Sequence, residues 1–394
     1  MTAAERDPAP RPLEIAILLS SLGLVRGGLE SAATRLAEGL VRRGHGVTVV
    51  AGWVPGERLA PDLSSLPVRW LRVPCVPVTF AGWPAVARGR PGLPLKAQSL
   101  TFGLACRTDP RVRAVVGEAD ITVTALEIET VLVSSWRAQR GRPHVSLFPG
   151  VIGPSWLARD RSTVRLAISE YVAELARRHL DLRVDEVVFL AGPPAAWLEV
   201  PYAVRDGART LLFVGRLDRG KGVHELLALF EALAPSFPDL ELKLAGDGAE
   251  RRALERRIAA AGLGRRVQLL GALRPQEILR ELTAADLFVF PSRYESWGLA
   301  VVEAMAAGVP VVAGDVAALR EVAGDAACLL PPADTVRWRE TVARLIANAA
   351  ERRALSAAGR ARAANFTAER AVGLTERWLF RALEPSAAHA GSRC

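Results

Sequence analysis

Short apolar runs alternate with stretches of helical periodicity along the second half of the chain. Each run is four to six residues long and rich in Val, Leu and Phe, which is typical of a buried strand. The predicted strands are TLLFV (210–214), LELKLA (240–245), RVQLL (266–270), DLFVF (286–290), PVVA (310–313) and ACLL (327–330). The stretches between them predict helices at about 222–234, 249–262, 275–284, 298–307 and 316–323. This alternation is typical of a parallel sheet with helices on both faces.

The first half of the chain repeats this plan with more interruptions. The predicted strands here are EIAILLS (14–20), GVTVVAG (46–52), DITVTA (120–125), PHVSLF (143–148) and VRLAIS (164–169). The Pro- and Gly-rich segment 73–94 breaks the alternation and predicts a mobile insertion. The whole pattern predicts an α/β protein with two doubly wound, Rossmann-like domains that face each other across a cleft. Ligands of such sheets bind at the carboxyl ends of the strands.

The length of the chain supports two domains, because 394 residues exceed the size at which one core usually keeps growing. AGPPAAWLEVP (191–201) is the predicted linker. The predicted boundaries are a disordered lead-in over 1–13, a first domain over 14–195, a second domain over 196–370, and a C-terminal helix with a disordered tail over 371–394.

Composition narrows the possible functional classes. Half of the residues are apolar and about a quarter are charged, as in ordinary soluble globular proteins. The apolar runs are too short to span a bilayer, and the lead-in lacks the apolar core of a secretory signal. The four cysteines have neither metal-type nor redox spacing, so we expect a cytoplasmic location.

Positive charge is concentrated in one part of the first domain. The net charge of the chain is +9, and between Arg69 and Arg113 eight basic residues accompany one acid. The aromatic side chains in this stretch are Trp70, Phe80, Trp83 and Phe102. The stretch could attract an anionic acceptor or serve as a peripheral contact with the inner membrane face. The alternative is a solvated loop region with the aromatics packed beneath it. No nucleic-acid-binding signature accompanies the charge, so no nucleic-acid partner is expected.

Two junctions between a strand and a helix indicate anion binding. In LLSSLGLVRGGLESAATRL, Gly27 and Gly28 open a helix, and glycines there let backbone N–H groups approach a phosphate or sugar. In FVGRLDRGKGVHELL, Arg216 and Lys221 flank a short loop before the next helix, which suits a diphosphate. Only three of the 51 basic residues are lysines, so Lys221 is the more notable.

A third junction, PSRYESWGLAVVEAMAAGVPVVAGD (291–315), places Glu295 in a turn and Glu303 within an almost wholly apolar helix. A buried carboxylate without a partner is costly, so Glu303 requires either water or specific donors. The hydroxyls of a ribose are such donors, and a salt bridge to an arginine is the structural alternative.

These residues resemble the donor site of family-four retaining glycosyltransferases, which have the GT-B fold. The two glutamates have the spacing of that family's glutamate pair, with seven residues between them. FVGRLDRGKG, LAGDGAERRALE, RRGHGVTVV and the glycine pair of the first domain also match, in the family's order. The resemblance covers roughly residues 14–370 and is strongest over 210–332.

The resemblance implies a role for each matching residue. Arg216 and Lys221 would hold the donor diphosphate and act in catalysis with Glu295, which orients the transferred sugar together with the backbone of 297–299. Glu303 would bind the ribose. The loop 271–273 would frame the base. The donor-binding set so implied is Gly27, Gly28, Gly215, Arg216, Lys221, Asp247, Gly271, Leu273, Glu295, Trp297, Gly298, Leu299 and Glu303.

The chain departs from the family at two positions on the acceptor side. Pro149 stands where the family often has a histidine at the end of a first-domain strand, and Ala191 stands in the place of a linker asparagine. His144 lies near the start of that strand, so we expect it to be structural.

The expected activity is transfer of a sugar, with retention, from a nucleotide-diphosphate sugar (a UDP-sugar is expected) to a small or lipid-linked acceptor. No Asp-x-Asp occurs, so we expect no metal and no other cofactor. Charge on the leaving nucleotide would be stabilised by Arg216, Lys221 and helix dipoles. Two alternatives stay open: a silent nucleotide-sugar-binding protein and a GT-B sugar-nucleotide epimerase.

Overall fold

The computed structural model describes residues 11–22, 24, 27–54, 61–76, 93–150 and 156–384, and within them the chain forms two parallel sheets. Most of the lead-in and the last ten residues lie outside these ranges, as does most of the segment 73–94. The two sheets follow one another along the chain, so each sheet is built from a continuous stretch.

The first sheet has seven strands in the order β3-β2-β1-β4-β5-β6-β7, all paired in parallel. Its strands are β1 (Glu14–Leu19), β2 (Gly46–Trp53), β3 (Arg69–Pro74), β4 (Ile121–Thr124), β5 (His144–Phe148), β6 (Val164–Ala167) and β7 (Glu186–Val187). The outermost strands, β3 and β7, were not predicted. β3 is an edge strand whose sequence RWLRVP mixes charge with apolar residues, and β7 has only two residues.

The second sheet has six strands in the order β10-β9-β8-β11-β12-β13, again all parallel. Its strands are β8 (Thr210–Val214), β9 (Glu241–Ala245), β10 (Val267–Gly271), β11 (Leu287–Phe290), β12 (Val311–Gly314) and β13 (Cys328–Leu330). Every predicted strand of this half is present, with ends displaced by at most one residue. Both faces of its central strands are covered by helices, so these strands are continuous apolar runs that are readily recognised in the sequence.

Helices cover both sheets. They are α1 (Gly28–Arg42), α2 (Pro61–Ser64), α3 (Leu93–Thr108), α4 (Pro110–Glu118), α5 (Glu127–Ala138), α6 (Glu170–Leu180), α7 (Val223–Leu233), α8 (Arg251–Ala260), α9 (Pro275–Ala284), α10 (Leu299–Ala307), α11 (Ala317–Ala323), α12 (Thr335–Ala347), α13 (Ala349–Ala363) and α14 (Ala368–Leu383). The interior of the second domain forms one apolar cluster, and the first domain has a cluster on each face of its sheet.

The last helix, α14, returns to the first domain. Val372 and Leu379 are buried in the first-domain core, and Val372 lies so close to Gly39 of α1 that a side chain there would clash. Glu376 accepts hydrogen bonds from Arg43 Nε at 2.8 Å and from the His45 ring at 2.8 Å. The chain therefore crosses between the domains twice.

The two crossings lie side by side. The N–H of Ala368 donates to the carbonyl of Pro193 at 3.0 Å, and the N–H of Ala195 donates to Glu369 Oε2 at 3.0 Å. A Cβ at Gly192 would collide with the carbonyl oxygen of Phe366, so glycine permits this close approach. The predicted linker thus forms a paired hinge with the segment before α14.

The basic stretch 69–113 is partly described. Phe102 is fully buried, as the packed-aromatic alternative expects, whereas Phe80 and Trp83 lie outside the described residues. α3 has an outward face of two leucines and two basic residues, formed by Lys96, Leu100, Leu104 and Arg107. Within the described ranges, no helix is long and apolar enough to cross a bilayer.

Candidate active site

The carboxyl end of β11 leads into the turn and helix that carry both predicted glutamates. Gly298 is the N-cap of α10 and has φ 102°, a conformation that favours glycine. A Cβ there would also collide with the side chain of Leu319. This glycine lets α10 start directly beneath the turn, so that its first-turn N–H groups point toward the end of the sheet. Glu295 and Glu303 are both buried, as the apolar sequence around Glu303 indicates.

Glu295 forms an ion pair with Lys221. Lys221 Nζ lies 2.5 Å from Glu295 Oε1, and both side chains are largely buried. Lys221 ends a 3-10 turn over Arg219–Lys221, and the Asp218 side chain caps this turn by accepting from the Lys221 N–H at 3.1 Å. The turn after β8 and the turn after β11 therefore bring together two of the three predicted catalytic residues.

Arg216, the third predicted catalytic residue, is the most accessible charge of the group. Its Nε lies 3.2 Å from Asp218 Oδ2, and two thirds of its side chain is exposed. The preceding Gly215 is tied to β9, because its N–H donates to the Ala245 carbonyl at 2.9 Å. Arg216 is thus fixed at its backbone and accessible at its guanidinium, which suits the capture of an anion from solvent.

Glu303 has a partner that the sequence did not identify. Arg35 of α1 donates from Nη2 to Glu303 Oε1 at 2.6 Å, and only 10% and 8% of these two side chains are exposed. This pair joins the two domains. The arginine alternative therefore holds for Oε1, and the predicted contact of Glu303 with ribose stays a prediction. Within the described part of the chain, Oε2 accepts no protein hydrogen bond.

The glycine pair of the first domain faces the start of α10. A Cβ on Gly28 would lie 3.7 Å from the side chain of Leu299, an ordinary contact. Glu30 follows in the first turn of α1 and accepts from the Ser21 hydroxyl at 2.5 Å. Burial raises the pKa of Glu30 above its ordinary value, and the hydrogen bond from Ser21 and the charge of Arg216 oppose that rise. Glu30 therefore lies within electrostatic range of the second domain's Arg216.

The remaining predicted positions lie along the same edge of the second sheet. Asp247 follows β9 and is exposed, Gly271 ends β10 with φ 75°, and Leu273 is half-buried in the next loop. Gly246 and Gly271 pair in an isolated bridge that joins these loops. The loops after β8, β9, β10 and β11 thus converge, as the carboxyl edge of a parallel sheet requires.

The indole of Trp297 packs between the domains. It stacks on Phe189 at 5.9 Å between ring centroids and meets Phe366 edge-on at 5.2 Å. The backbone of Trp297 is therefore available to a ligand, while its side chain packs against Phe189 and Phe366 beside the paired hinge. This double role is invisible in the sequence, because Phe189 and Phe366 are remote from it along the chain.

His144 is a structural residue. Its Nδ1 lies 2.6 Å from the Thr122 hydroxyl and its Nε2 lies 3.0 Å from the Thr124 hydroxyl. Complete burial lowers the pKa of His144 to about 4, so the ring is neutral near pH 7. It begins β5, at the opposite end of that strand from Pro149. A Cβ on Gly150 would lie 2.9 Å from Ser296 Oγ, so the loop containing Pro149 does border the turn of Glu295.

The sequence does contain one signal that would have revealed Arg35. On α1 the buried positions are Ala32, Arg35, Leu36, Ala37, Gly39 and Leu40. An arginine on the apolar face of a helix is the same anomaly as a glutamate within α10, with the opposite charge. Each anomaly marks a buried charge that needs a partner, but only the fold shows that the two helices meet.

A model of one protein family matches the second domain, and one relative matches about a third of the chain. The model described as glycosyl transferases group 1 matches residues 199–362. Glycogen synthase of Mycobacterium tuberculosis is 35% identical over 145 residues, which are 34% of this chain and 35% of that protein. The match therefore spans about a third of the length of that relative.

Two further likenesses extend over both domains. Phosphatidyl-myo-inositol mannosyltransferase of Mycolicibacterium smegmatis is 31% identical over 315 residues, or 74% of this chain and 73% of that protein. The solved structure of Anabaena Alr3699/HepE in complex with UDP and glucose has a TM-score of 0.72 at 17% identity, covering 93% of this chain and 99% of that chain. This likeness confirms the GT-B fold predicted from the sequence.

Proposed function

Since the chain belongs to the glycosyl transferases group 1 family, we propose that it transfers a sugar from a nucleotide-diphosphate sugar, with retention, to a small or lipid-linked acceptor. One observation carries the proposal: two cations and two glutamates converge at the carboxyl edge of the second sheet, where α10 begins. An edge of this kind is the usual ligand site of an open α/β sheet.

The charges of this edge suit a nucleotide diphosphate. Arg216 and Lys221, together with the N-terminus of α10, provide positive potential for the two phosphates. Glu295 is held by Lys221, so a diphosphate that engages Lys221 would leave Glu295 beside the transferred sugar. Oε2 of Glu303 offers an acceptor for ribose hydroxyls. A UDP-sugar is the proposed donor, in keeping with the UDP bound by the Anabaena protein of similar fold.

The proposed reaction proceeds on one face of the sugar. The bond between the anomeric carbon and the phosphate oxygen breaks, and the acceptor oxygen bonds to the same face of that carbon. The acceptor proton passes to the departing phosphate oxygen. This route needs no protein base, which accommodates Pro149 at the border of the site. Arg216 and Lys221 would stabilise the charge that develops on the leaving diphosphate.

We further propose that the reaction is independent of a divalent metal. The two cations and the helix N-terminus would supply the charge that a metal otherwise supplies. Turnover in excess EDTA should therefore equal turnover with added magnesium. A loss of activity in EDTA that magnesium restores would overturn this part of the proposal.

The outward face of α3 supports a lipid-linked acceptor. Leu100 and Leu104 are exposed there between Lys96 and Arg107, an arrangement that suits an anionic membrane surface. The Mycolicibacterium relative is named for a phosphatidyl-inositol acceptor. We propose a cytoplasmic protein that touches the membrane through this face. Sedimentation with anionic vesicles should be lost when both leucines are changed to serine and kept in Val336→Ser, which alters an exposed apolar residue of α12.

The first experiment is a thermal-shift panel of UDP, GDP, ADP and their sugars with and without EDTA, followed by transfer of labelled sugar. We expect one nucleotide to raise the melting temperature, and Glu303→Ala to abolish that shift. Binding without transfer to any acceptor would favour the silent binding protein, and an isomerised free nucleotide sugar would favour the epimerase. No shift with any nucleotide would refute the donor site.

A further inference from the structure

Arg35 contacts three parts of the protein: its own domain, the second domain and the linker. It belongs to α1 of the first domain, and its Nη2 donates to Glu303 of α10 in the second domain at 2.6 Å. Its Nη1 lies 3.4 Å from the carbonyl oxygen of Ala191 in the linker. Its guanidinium also lies 6.0 Å from the ring centroid of Trp197, at the other end of the linker.

Among the residues that the structure describes, Arg35 is the one hydrogen-bond partner of the Glu303 carboxylate. Its neighbours on α10, from Val301 to Ala307, are apolar and buried. Packing against apolar side chains limits the rotamers of a buried glutamate, but a hydrogen-bond donor is needed to favour one orientation of its carboxylate group. The planar guanidinium of Arg35 is such a partner, since it holds its donors in a rigid fork. Of the two carboxylate oxygens, Arg35 engages Oε1 and leaves Oε2 as the acceptor.

We propose that Arg35 is a positioning residue that orients Glu303 toward the ribose hydroxyls of the donor, and that it makes ribose recognition depend on the first domain. The proposal rests on the donor site proposed above, in which Glu303 binds the ribose. Arg35 itself does not touch the donor in this scheme. It acts by fixing the plane of a carboxylate whose helix cannot do so.

A consequence of this role is that Arg35 governs discrimination by the sugar hydroxyls. A site built to hydrogen-bond a hydroxyl rejects the analogue that lacks it, because its polar group is left unpaired. When Arg35 is absent, Glu303 is free to turn, and a nucleotide with ribose loses its advantage. Binding of the diphosphate by Arg216 and Lys221 is unaffected, so a nucleotide without these hydroxyls should bind the variant and the wild type alike.

The test is calorimetric titration of the whole protein with UDP, GDP and ADP and with their 2′,3′-dideoxy counterparts. In Arg35→Met we expect affinity for the preferred ribonucleotide to fall about 10- to 100-fold, the range of a hydrogen bond to a charged group, with little change for the dideoxy form. Arg35→Lys should restore part of the difference. In turnover, the donor KM should rise while kcat changes little, as for lost ground-state binding.

Two controls separate positioning from general damage. Arg43 follows the end of α1 and pairs with Glu376 at 2.6 Å, away from the donor edge, so Arg43→Met should keep the wild-type ratio of the two affinities. The double variant Arg35→Met with Glu303→Gln removes both buried charges and guards against misfolding. It should bind the ribonucleotide no more weakly than Glu303→Gln alone, because Glu303→Gln already removes the carboxylate that Arg35 orients.

The outcomes are distinguishable. If the wild type binds none of the three nucleotides, the proposed donor site fails, and this inference fails with it. If Glu303→Gln loses the preference for ribose while Arg35→Met keeps it in full, the donor site stands and the role of Arg35 is refuted. Collapse of the preference in both variants, with recovery in Arg35→Lys, establishes Arg35 as the residue that orients Glu303.

Discussion

Glu129 and Glu303 are buried on equivalent helices of the two domains. β4 lies beside β1 in the first sheet and leads into α5, just as β11 lies beside β8 in the second sheet and leads into α10. Glu129 is enclosed: its Oε2 accepts the N–H of Ser20 at 3.2 Å, and among the described residues its Oε1 has no hydrogen-bond partner. Glu303 instead pairs with a residue of the other domain, Arg35.

The difference shows how one topological position serves two purposes. Glu129 accepts a hydrogen bond from Ser20, the residue that follows β1. Ser20 begins the loop that leads to Gly27 and Gly28, so Glu129 stabilises the start of that loop. Burial raises the pKa of Glu129 to about 8, and a neutral carboxyl group fits that enclosed setting. In the proposed donor site, Glu303 keeps one oxygen for a ligand. Burial alone therefore does not distinguish the two glutamates, whereas the partner across the cleft does.

The largest effect we expect tests the enclosed glutamate. The folded pKa of Glu129 is raised from 4.5 to about 8, so its contribution to stability is complete below pH 4.5 and is lost as pH rises to 8. The loss amounts to roughly 5 kcal/mol. The unfolding free energy of Glu129→Gln minus that of the wild type should therefore rise between pH 4.5 and 8. Above pH 8 this difference should stay constant. Urea unfolding from pH 5 to 9 measures the difference.

A neighbouring carboxyl provides the control for that measurement. Glu127 begins α5 and is only half-buried. Glu127→Gln removes the same formal charge from the same helix turn and should run parallel to the wild type. Parallel profiles for Glu129→Gln as well would show that Glu129 is not a buried neutral acid.

Removing either donor-side cation comes next in magnitude. Arg216→Ala or Lys221→Ala should lower kcat/KM by about 100- to 1,000-fold, or about 3–4 kcal/mol, because each takes positive charge from the leaving diphosphate. Arg219 lies in the same turn, is largely exposed and pairs with Glu250. Arg219→Ala should stay within about threefold of the wild type. Normal turnover of Arg216→Ala would remove that residue from the mechanism.

A backbone change at the start of α10 should have a smaller effect. Gly298→Ala combines a positive φ with a collision against Leu319, and we expect it to cost about 1–3 kcal/mol of unfolding free energy. Gly262→Ala has a positive φ with open space around it, so it should cost about 1 kcal/mol. Equal losses in urea unfolding would mean that Leu319 moves aside without cost.

His144 should have the smallest influence on catalysis. Because its pKa is about 4, it does not titrate between pH 6 and 8. We expect His144→Gln to keep the shape of the wild-type pH profile of kcat and a rate within about threefold once its folded fraction is matched. A changed inflection in that pH range would show that His144 takes part in the chemistry, and that the first domain contributes a catalytic group.

The second domain was predictable from the sequence because its strands are covered on both faces. TLLFV begins and ends where β8 does, and the glutamate spacing placed both carboxylates at one edge. In the first domain β3 went unrecognised, since an edge strand such as RWLRVP carries arginines that dilute the apolar signal.

The Arg35–Glu303 pair was beyond prediction for a different reason. Each residue looks anomalous in its own helix, yet 268 positions separate them, and their meeting depends on how the two domains are set against each other. Local patterns establish elements and the ends of strands. They do not establish contacts between domains, which is where the partner of Glu303 was found.

The paired hinge has a mechanical consequence. Two backbone segments, linked by the hydrogen bond from the Ala368 N–H to the Pro193 carbonyl, connect the two domains. The Ala195 N–H also donates to Glu369 Oε2, so the two segments are held to each other at two points. A single proteolytic nick within 194–201 would therefore leave both halves attached, so an intact particle on a sizing column would be no proof of an intact chain.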